Sequence, residues 1–236
     1  YTVGPSGLLA FTAVGLTMAV TLFFMMPRIV TYGQMVEQHL PTTKEANKKP
    51  LINNWGAFGL LFLIIVGQSI NFRVINAFIP VFWIRELGAS ASAASFALTV
   101  FFTIGIFMTY VGGLLADKYG PTKVVRFTLL LWLPAIIYFP FTTSMTEAYI
   151  PLVAMGVAKA LSYSPVVVLG QTYLAKSIGF ASGITFGLSM TIGGLVAPLV
   201  GKLADMYSLP HALLILVPFM AMAAIVAWLL PKVKTT

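Results

Sequence analysis

Seven stretches of about 20 or more mostly apolar residues run along this chain, at about 3–26, 55–84, 92–116, 124–141, 148–173, 180–204 and 211–230. Crossing the hydrocarbon core of a bilayer takes roughly 20 such residues in a helix. Inside a bilayer every backbone N–H and C=O must be satisfied within the chain, so runs of this length must be helices. Composition agrees. Hydrophobic residues make up 59% of the 236 and charged ones 8%, against about 25% charged in an ordinary soluble domain. The expected fold is therefore all-α, a polytopic membrane bundle of seven transmembrane helices. There is no cysteine, which excludes disulfides, a thiol nucleophile and Cys-based metal sites. The two histidines, His39 and His211, fall in or beside predicted loops and far apart. No metal site and no cofactor is expected.

The loops carry a strong charge bias. Assigned alternately to two sides, one side holds Arg28, Lys44, Lys48, Lys49, Lys118, Lys123, Arg126, Lys176, Lys232 and Lys234, and the other only Arg85 and Lys202. By the positive-inside rule the first side is cytoplasmic. That puts the C-terminus and the long 27–54 loop in the cytoplasm, with the protein integral to a bacterial or archaeal plasma membrane. The net charge of +8 is then mostly topological and implies no nucleic-acid partner. The chain opens at Tyr1 without a basic leader or cleavage site, so the expectation is part of a longer protein, not a signal peptide.

A turn repeats. Gly113-x-x-Ala116-Asp117-x-Tyr119 returns as Gly201-x-x-Ala204-Asp205-x-Tyr207, and 201 − 113 = 88. Each copy ends the second helix of a set of three. Three is odd, so the two sets lie in opposite orientation, a 3+3 inverted repeat of the kind found in transporters. The domain reading is thus a lone helix (1–26), a polar linker (27–54) and a six-helix bundle (55–236).

At these residues the chain resembles a known family. Gly113-x-x-x-Asp117-Lys118-x-Gly120-x-x-Lys123 is similar to the signature of the major facilitator superfamily, in side, order and spacing. The resemblance implies the last helix of an N-terminal half, the central cytoplasmic linker and a complete C-terminal half of a twelve-helix carrier. The N-terminal half is then an implied partner. The Gly-rich run from Ile178 to Gly194 resembles bacterial drug-efflux members, including fosmidomycin-resistance-like carriers, and organic-anion carriers are the other resemblance. The signature implies a gating role for Gly113, Asp117, Lys118, Gly120 and Lys123, with the Asp117 carboxylate meeting a helix N-terminus of the other half in one state.

Two cations, Arg73 and Lys159, fall deep in predicted helices, near the midplane. Each costs about 2.5–3.5 kcal/mol to insert and normally faces a cavity or a partner. All six acids, Glu37, Glu45, Glu86, Asp117, Glu147 and Asp205, fall in or beside loops. Arg73 and Lys159 also stand 159 − 73 = 86 residues apart, which makes them near-equivalents in the first helices of the two repeats. Unpaired cations at this depth suit an anion, Arg as a planar fork and Lys as a point charge, the alternatives being an acid in the missing half or an interface reached by snorkelling. Gln68, Asn71, Asn76 and Tyr163 lie near them along the helices as candidate substrate ligands, with hydrogen bonding between helices as the alternative use. Gly179, Gly183 and Gly187 read as a packing face, and Trp83, Trp132 and Trp228 as anchors at the membrane interface.

The reading is secondary active transport of a small organic anion by alternating access, with Arg73 and Lys159 holding the substrate, and not an enzyme. The partners are the small organic anion or drug-like substrate, the bilayer, the other half of the carrier and a coupling ion if the carrier uses one. Proton-coupled multidrug efflux is one alternative. A non-transporting membrane receptor or assembly subunit is another.

Overall fold

The computed structural model of the chain describes residues 6–39, 52–231 and 233. It divides into two compact units, Tyr1–Pro50 and Leu51–Thr236. The described part of the first is helix α1 (Ser6–His39), which continues past Pro27. A proline inside a helix removes one N–H and crowds the carbonyl four residues back. Here the helix continues on both sides of it, and the Thr31 hydroxyl donates to the Pro27 carbonyl at 2.8 Å. Residues 27–39, expected as the start of a polar loop, are therefore helical. Residues 40–51 of that loop, with the Lys44–Lys49 cluster, lie outside the described residues.

The second unit holds six spans that are long and apolar enough to cross a membrane. Helices α2 (Trp55–Arg85), α3 (Ala91–Tyr119) and α4 (Pro121–Tyr138, followed by a 3-10 turn to Phe141) form the first triplet. Helix α5 (Met145–Tyr173) opens the second. Its middle span is α6 (Ile178–Gly183), a π turn (Ile184–Leu188) and α7 (Ser189–Met206), and its last span is α8 (Leu209–Leu214) and α9 (Leu216–Leu229). Side-chain oxygens of Asn54, Ser90 and Ser144 accept from the first-turn amides of Ala57, Ala93 and Glu147 and so start α2, α3 and α5. Gly120 ends α3 at φ +92°, a conformation that costs any other residue a steric penalty, and Pro121 starts α4 at once.

The packing carries the repeat into three dimensions. Helix α3 packs on α5 as α7 packs on α2; α4 packs on α5 as α9 packs on α2. Helices α2 and α5 touch each other, and so do α4 and α9. Exchanging the triplets, α2 with α5, α3 with α7 and α4 with α9, maps these contacts onto themselves. This is the all-α bundle of inverted triplets that the two Asp turns predict.

Two expectations are corrected, and two spans carry a local irregularity. The spans at 180–204 and 211–230 each form one apolar span, as expected, with one interruption along it. Five glycines between Gly179 and Gly194 weaken the first, and the π turn absorbs the slack. Pro218 breaks the second, because it has no N–H to offer the Leu214 carbonyl. Gly179, Gly183 and Gly187 are not a packing face within the described residues, since a side chain added at any of them would meet nothing within 4 Å. Trp83 and Trp132 are not surface anchors either. Both are fully buried, and Trp83 stacks on Phe139 at 6.0 Å between ring centres. Trp228 is exposed and lies under the Arg126 guanidinium.

Burial is uneven. In the most apolar window of α2, 61% of residues are buried, against 11% in α3 and 20% along α6–α7. The two thinly covered spans are counterparts under the triplet exchange, so both triplets leave the same wall bare.

Candidate functional site

Helices α2 and α5 pack against each other, and the two deep cations meet between them. Arg73 and Lys159 line one cavity of about 130 Å³, with Gln68, Ser69, Tyr163 and Thr185. The polar groups thus come from α2, α5 and the π turn between α6 and α7. Phe186 of the same turn closes one side, 6.1 Å from the Tyr163 ring. π turns recur at functional sites because they re-aim side chains within an otherwise regular helix.

Neither cation meets a carboxylate. The ion pair among the described residues is Arg85–Asp205 at 3.7 Å, at an exposed helix end. The Lys159 ammonium lies 5.2 Å from the centre of the Phe72 ring, a cation–π contact. Desolvated charge with only a ring face for company is costly to fold around unless an anion or a partner completes it.

The remaining candidates separate. Gln68 is buried and its amide donates to the Ser162 hydroxyl at 2.9 Å, which ties α2 to α5 beside the cations. Tyr163 faces the same cavity from one turn beyond Lys159. Asn71 and Asn76 do not line it. The Asn71 amide donates to the Gly67 and Leu216 carbonyls, at 2.9 and 3.2 Å, and so faces α9. Asn76 donates to the Phe72 carbonyl at 2.7 Å, within its own helix. A helix shows only one side to a site, and residues three positions on from Gln68 and from Arg73 are turned out of the cavity here. Sequence spacing alone could not tell which side that was.

A residue that the residue-type reading missed sets the position of Arg73. A Cβ at Gly193 would collide with the Arg73 Cγ, and would stand 2.7 Å from the Arg73 Cβ and from the Ser69 carbonyl. Glycine at 193 lets α7 lie directly on the aliphatic stem of Arg73. One turn of the repeat could have found it, because 193 − 88 = 105 and residue 105 is also glycine.

The turn that follows α3 is solvent-facing. Asp117, Lys118 and Lys123 are exposed, Gly113 is partly covered and Gly120 is buried at the corner. Asp117 has no ion-pair partner among the described residues. Behind it, the Arg126 guanidinium donates to the carbonyls of Ala227, Trp228 and Leu230 at 2.9, 3.1 and 2.8 Å, which fastens α4 to the end of α9.

Residues 61–236 match the family model described as Major Facilitator Superfamily. The chain belongs to that superfamily. Its members are membrane transporters and not enzymes. Over 143 residues the chain is 34% identical to the uncharacterized MFS-type transporter YfnC of Bacillus subtilis, a match covering 61% of this chain and 34% of that protein. It is 27% identical over 149 residues to the fosmidomycin resistance protein of Escherichia coli, covering 63% and 36%. Matches of this chain thus span about a third of the length of these curated relatives. The fold is similar to a crystal structure of the MFS transporter FucP in the outward conformation, with a TM-score of 0.68 at 16% identity, over 98% of this chain and 59% of that one.

Proposed function

We propose that this chain forms the C-terminal half, with the preceding helix, of a secondary carrier that moves a small organic anion by alternating access. The observation that carries this reading is the pair of cations: Arg73 and Lys159 line one cavity, and no carboxylate lines it with them. An anion with two or three oxygens would take the Arg73 fork and the Lys159 ammonium together, while Gln68 and Tyr163 fix its orientation. The bare wall along α3 and α6–α7 is where an N-terminal half would close the site from the other side. On this reading the Asp117 turn lies on the cytoplasmic side with the C-terminus and works as a latch. Its carboxylate would dock on a helix N-terminus of the other half in one state and release it in the other. Since no acid lines the cavity, a proton-coupled cycle would carry its proton on the N-terminal half or on the substrate.

The test is uptake by the full-length protein in liposomes, with a panel of carboxylates, phosphates and phosphonates beside cationic drugs. Anion uptake that is lost in Arg73→Ala and Lys159→Ala is expected. Anion uptake indifferent to both changes would end this reading, and uptake of cationic drugs alone would favour multidrug efflux.

A further inference from the structure

A second, open hollow of about 300 Å³ on the thinly covered face of α3 adjoins the cation site and shares Phe72, Lys159 and Tyr163 with it. Its remaining wall comes mainly from α3: Phe101, Phe102, Gly105, Ile106 and Thr109. Three of the rings form one cluster, with Phe72, Phe101 and Phe102 between 5.7 and 6.5 Å apart, centre to centre. The donor of the one hydroxyl that α3 contributes is used within the helix, since Thr109 donates to the Gly105 carbonyl at 2.8 Å. Apart from its Lys159 and Tyr163 border, the chamber offers hydrocarbon and ring faces.

Gly105 makes the room. A Cβ there would meet nothing within 4 Å. Its counterpart Gly193, 88 residues on, is jammed against Arg73. The same glycine in the two repeats therefore closes the site on the Arg73 side and opens it on the Lys159 side. On the far wall, Gly156 lets Phe101 approach to 3.3 Å of where its Cβ would be, which sets the ring that lines the chamber. The hollow is open on the side of Phe102 and Ile106, both exposed, so a ring or a branched chain can lie against its apolar wall.

We propose that the α3 chamber is a specificity subsite for the apolar part of the substrate, so that the carrier prefers amphipathic anions, with a compact anionic head and an aromatic or branched aliphatic body, over small inorganic or fully polar anions. The proposal rests on the anion reading above. The head sits between Arg73 and Lys159, and the body leaves past Phe72, the ring the two cavities share, towards Phe102 and Ile106. Lys159 stands at the junction, with its ammonium to the head and its stem to the chamber.

The experiment is competition for uptake by the full-length protein in liposomes, with carboxylates of one head and growing body, from acetate through butyrate to phenylacetate and 4-phenylbutyrate. Affinity is expected to rise about fourfold per buried methylene, and phenyl compounds to exceed acetate by more than tenfold. In Gly105→Leu, which fills the chamber from open space, the ratio of 4-phenylbutyrate to acetate affinity is expected to fall about tenfold. Phe102→Ala, which removes a wall ring and leaves the backbone alone, should lower the same ratio. Equal affinity for short and long anions, with uptake still dependent on Arg73, overturns the subsite and leaves the anion reading standing. No anion uptake at all removes both. Phenylalkyl amines competing better than the matching acids would overturn the proposal in favour of a cationic-drug pocket.

Discussion

At Gly193, α7 presses its backbone onto the stem of Arg73; at Gly105, its counterpart on α3, the same residue type faces open space beside Lys159. The two triplets share a plan and differ in how they finish it. The first keeps three unbroken spans, and its middle helix leaves a chamber. The second breaks its middle span at a π turn, lays the next stretch over Arg73, and puts Thr185 and Phe186 into the cavity. The turns differ as well. Gly120 carries the first corner at φ +92°, while Ser208, 88 residues on, takes an extended conformation. Asp205 pairs with Arg85, and Asp117 has no such partner among the described residues. A repeat thus supplies symmetry of scaffold, and asymmetry of packing makes one side polar and tight and the other apolar and wide.

The sharpest break of this comparison is at the cations themselves. Arg73→Ala is expected to weaken anion binding by roughly 100-fold, the order of a lost charge-assisted bidentate contact, and Lys159→Ala by roughly tenfold, since a point charge fixes geometry less. Binding isotherms on the purified full-length protein would check both. Equal losses would mean that the two sites are equivalent after all.

Next come the glycines. Gly193→Ala forces α7 off the Arg73 stem, and overpacking of this kind costs about 1–3 kcal/mol. Anion affinity should fall roughly 30-fold, with a lower Tm. Gly105→Ala adds one methyl to open space, and its effect on affinity should be at least tenfold smaller than that of Gly193→Ala. Similar effects at the two positions would contradict the closed and open assignment.

The two aspartates sharpen the contrast at the turns. If the Asp117 turn is the proposed latch, Asp117→Asn is expected to slow turnover by roughly tenfold with substrate affinity little changed, since a helix-dipole contact is worth up to about 2 kcal/mol. Asp205→Asn removes only an exposed pair with Arg85, and such pairs contribute little. Its turnover should stay within about twofold of the parent, measured as initial uptake rates. Matching losses would give the second turn a gating role too.

A modest effect is expected at one of the bonds between the triplets. Ser162→Ala removes the acceptor of the Gln68 amide, a loss of about 1 kcal/mol. About a fivefold weaker affinity and a modestly lower Tm should follow. No change in either would mean that Gln68 finds the substrate or another partner as readily as Ser162.

Much of the scaffold was legible because few physical options exist. Long apolar runs in a bilayer must be helices, and an 88-residue echo across three of them must invert. Arg73 and Lys159 were legible for a related reason: a charge at that depth has almost nowhere to go except a cavity. Asn71 and Asn76 were not, because amides are used equally well by a neighbouring backbone, and only the rotation of α2 shows that theirs are. The continuation of α1 past Pro27 escaped as well, since proline in a helix is a finite cost.

The sequence by itself determined the helix count, the inverted triplets, the superfamily signature and the two cations, because each follows from solvation cost or from spacing along one chain. Tertiary structure alone decided that the cations share one cavity, that Trp83 and Trp132 are core and not surface, and that Gly193 is shut while Gly105 is open. Those outcomes depend on how helices rotate against each other, and in a bundle apolar nearly all round, hydropathy does not say which face turns inward.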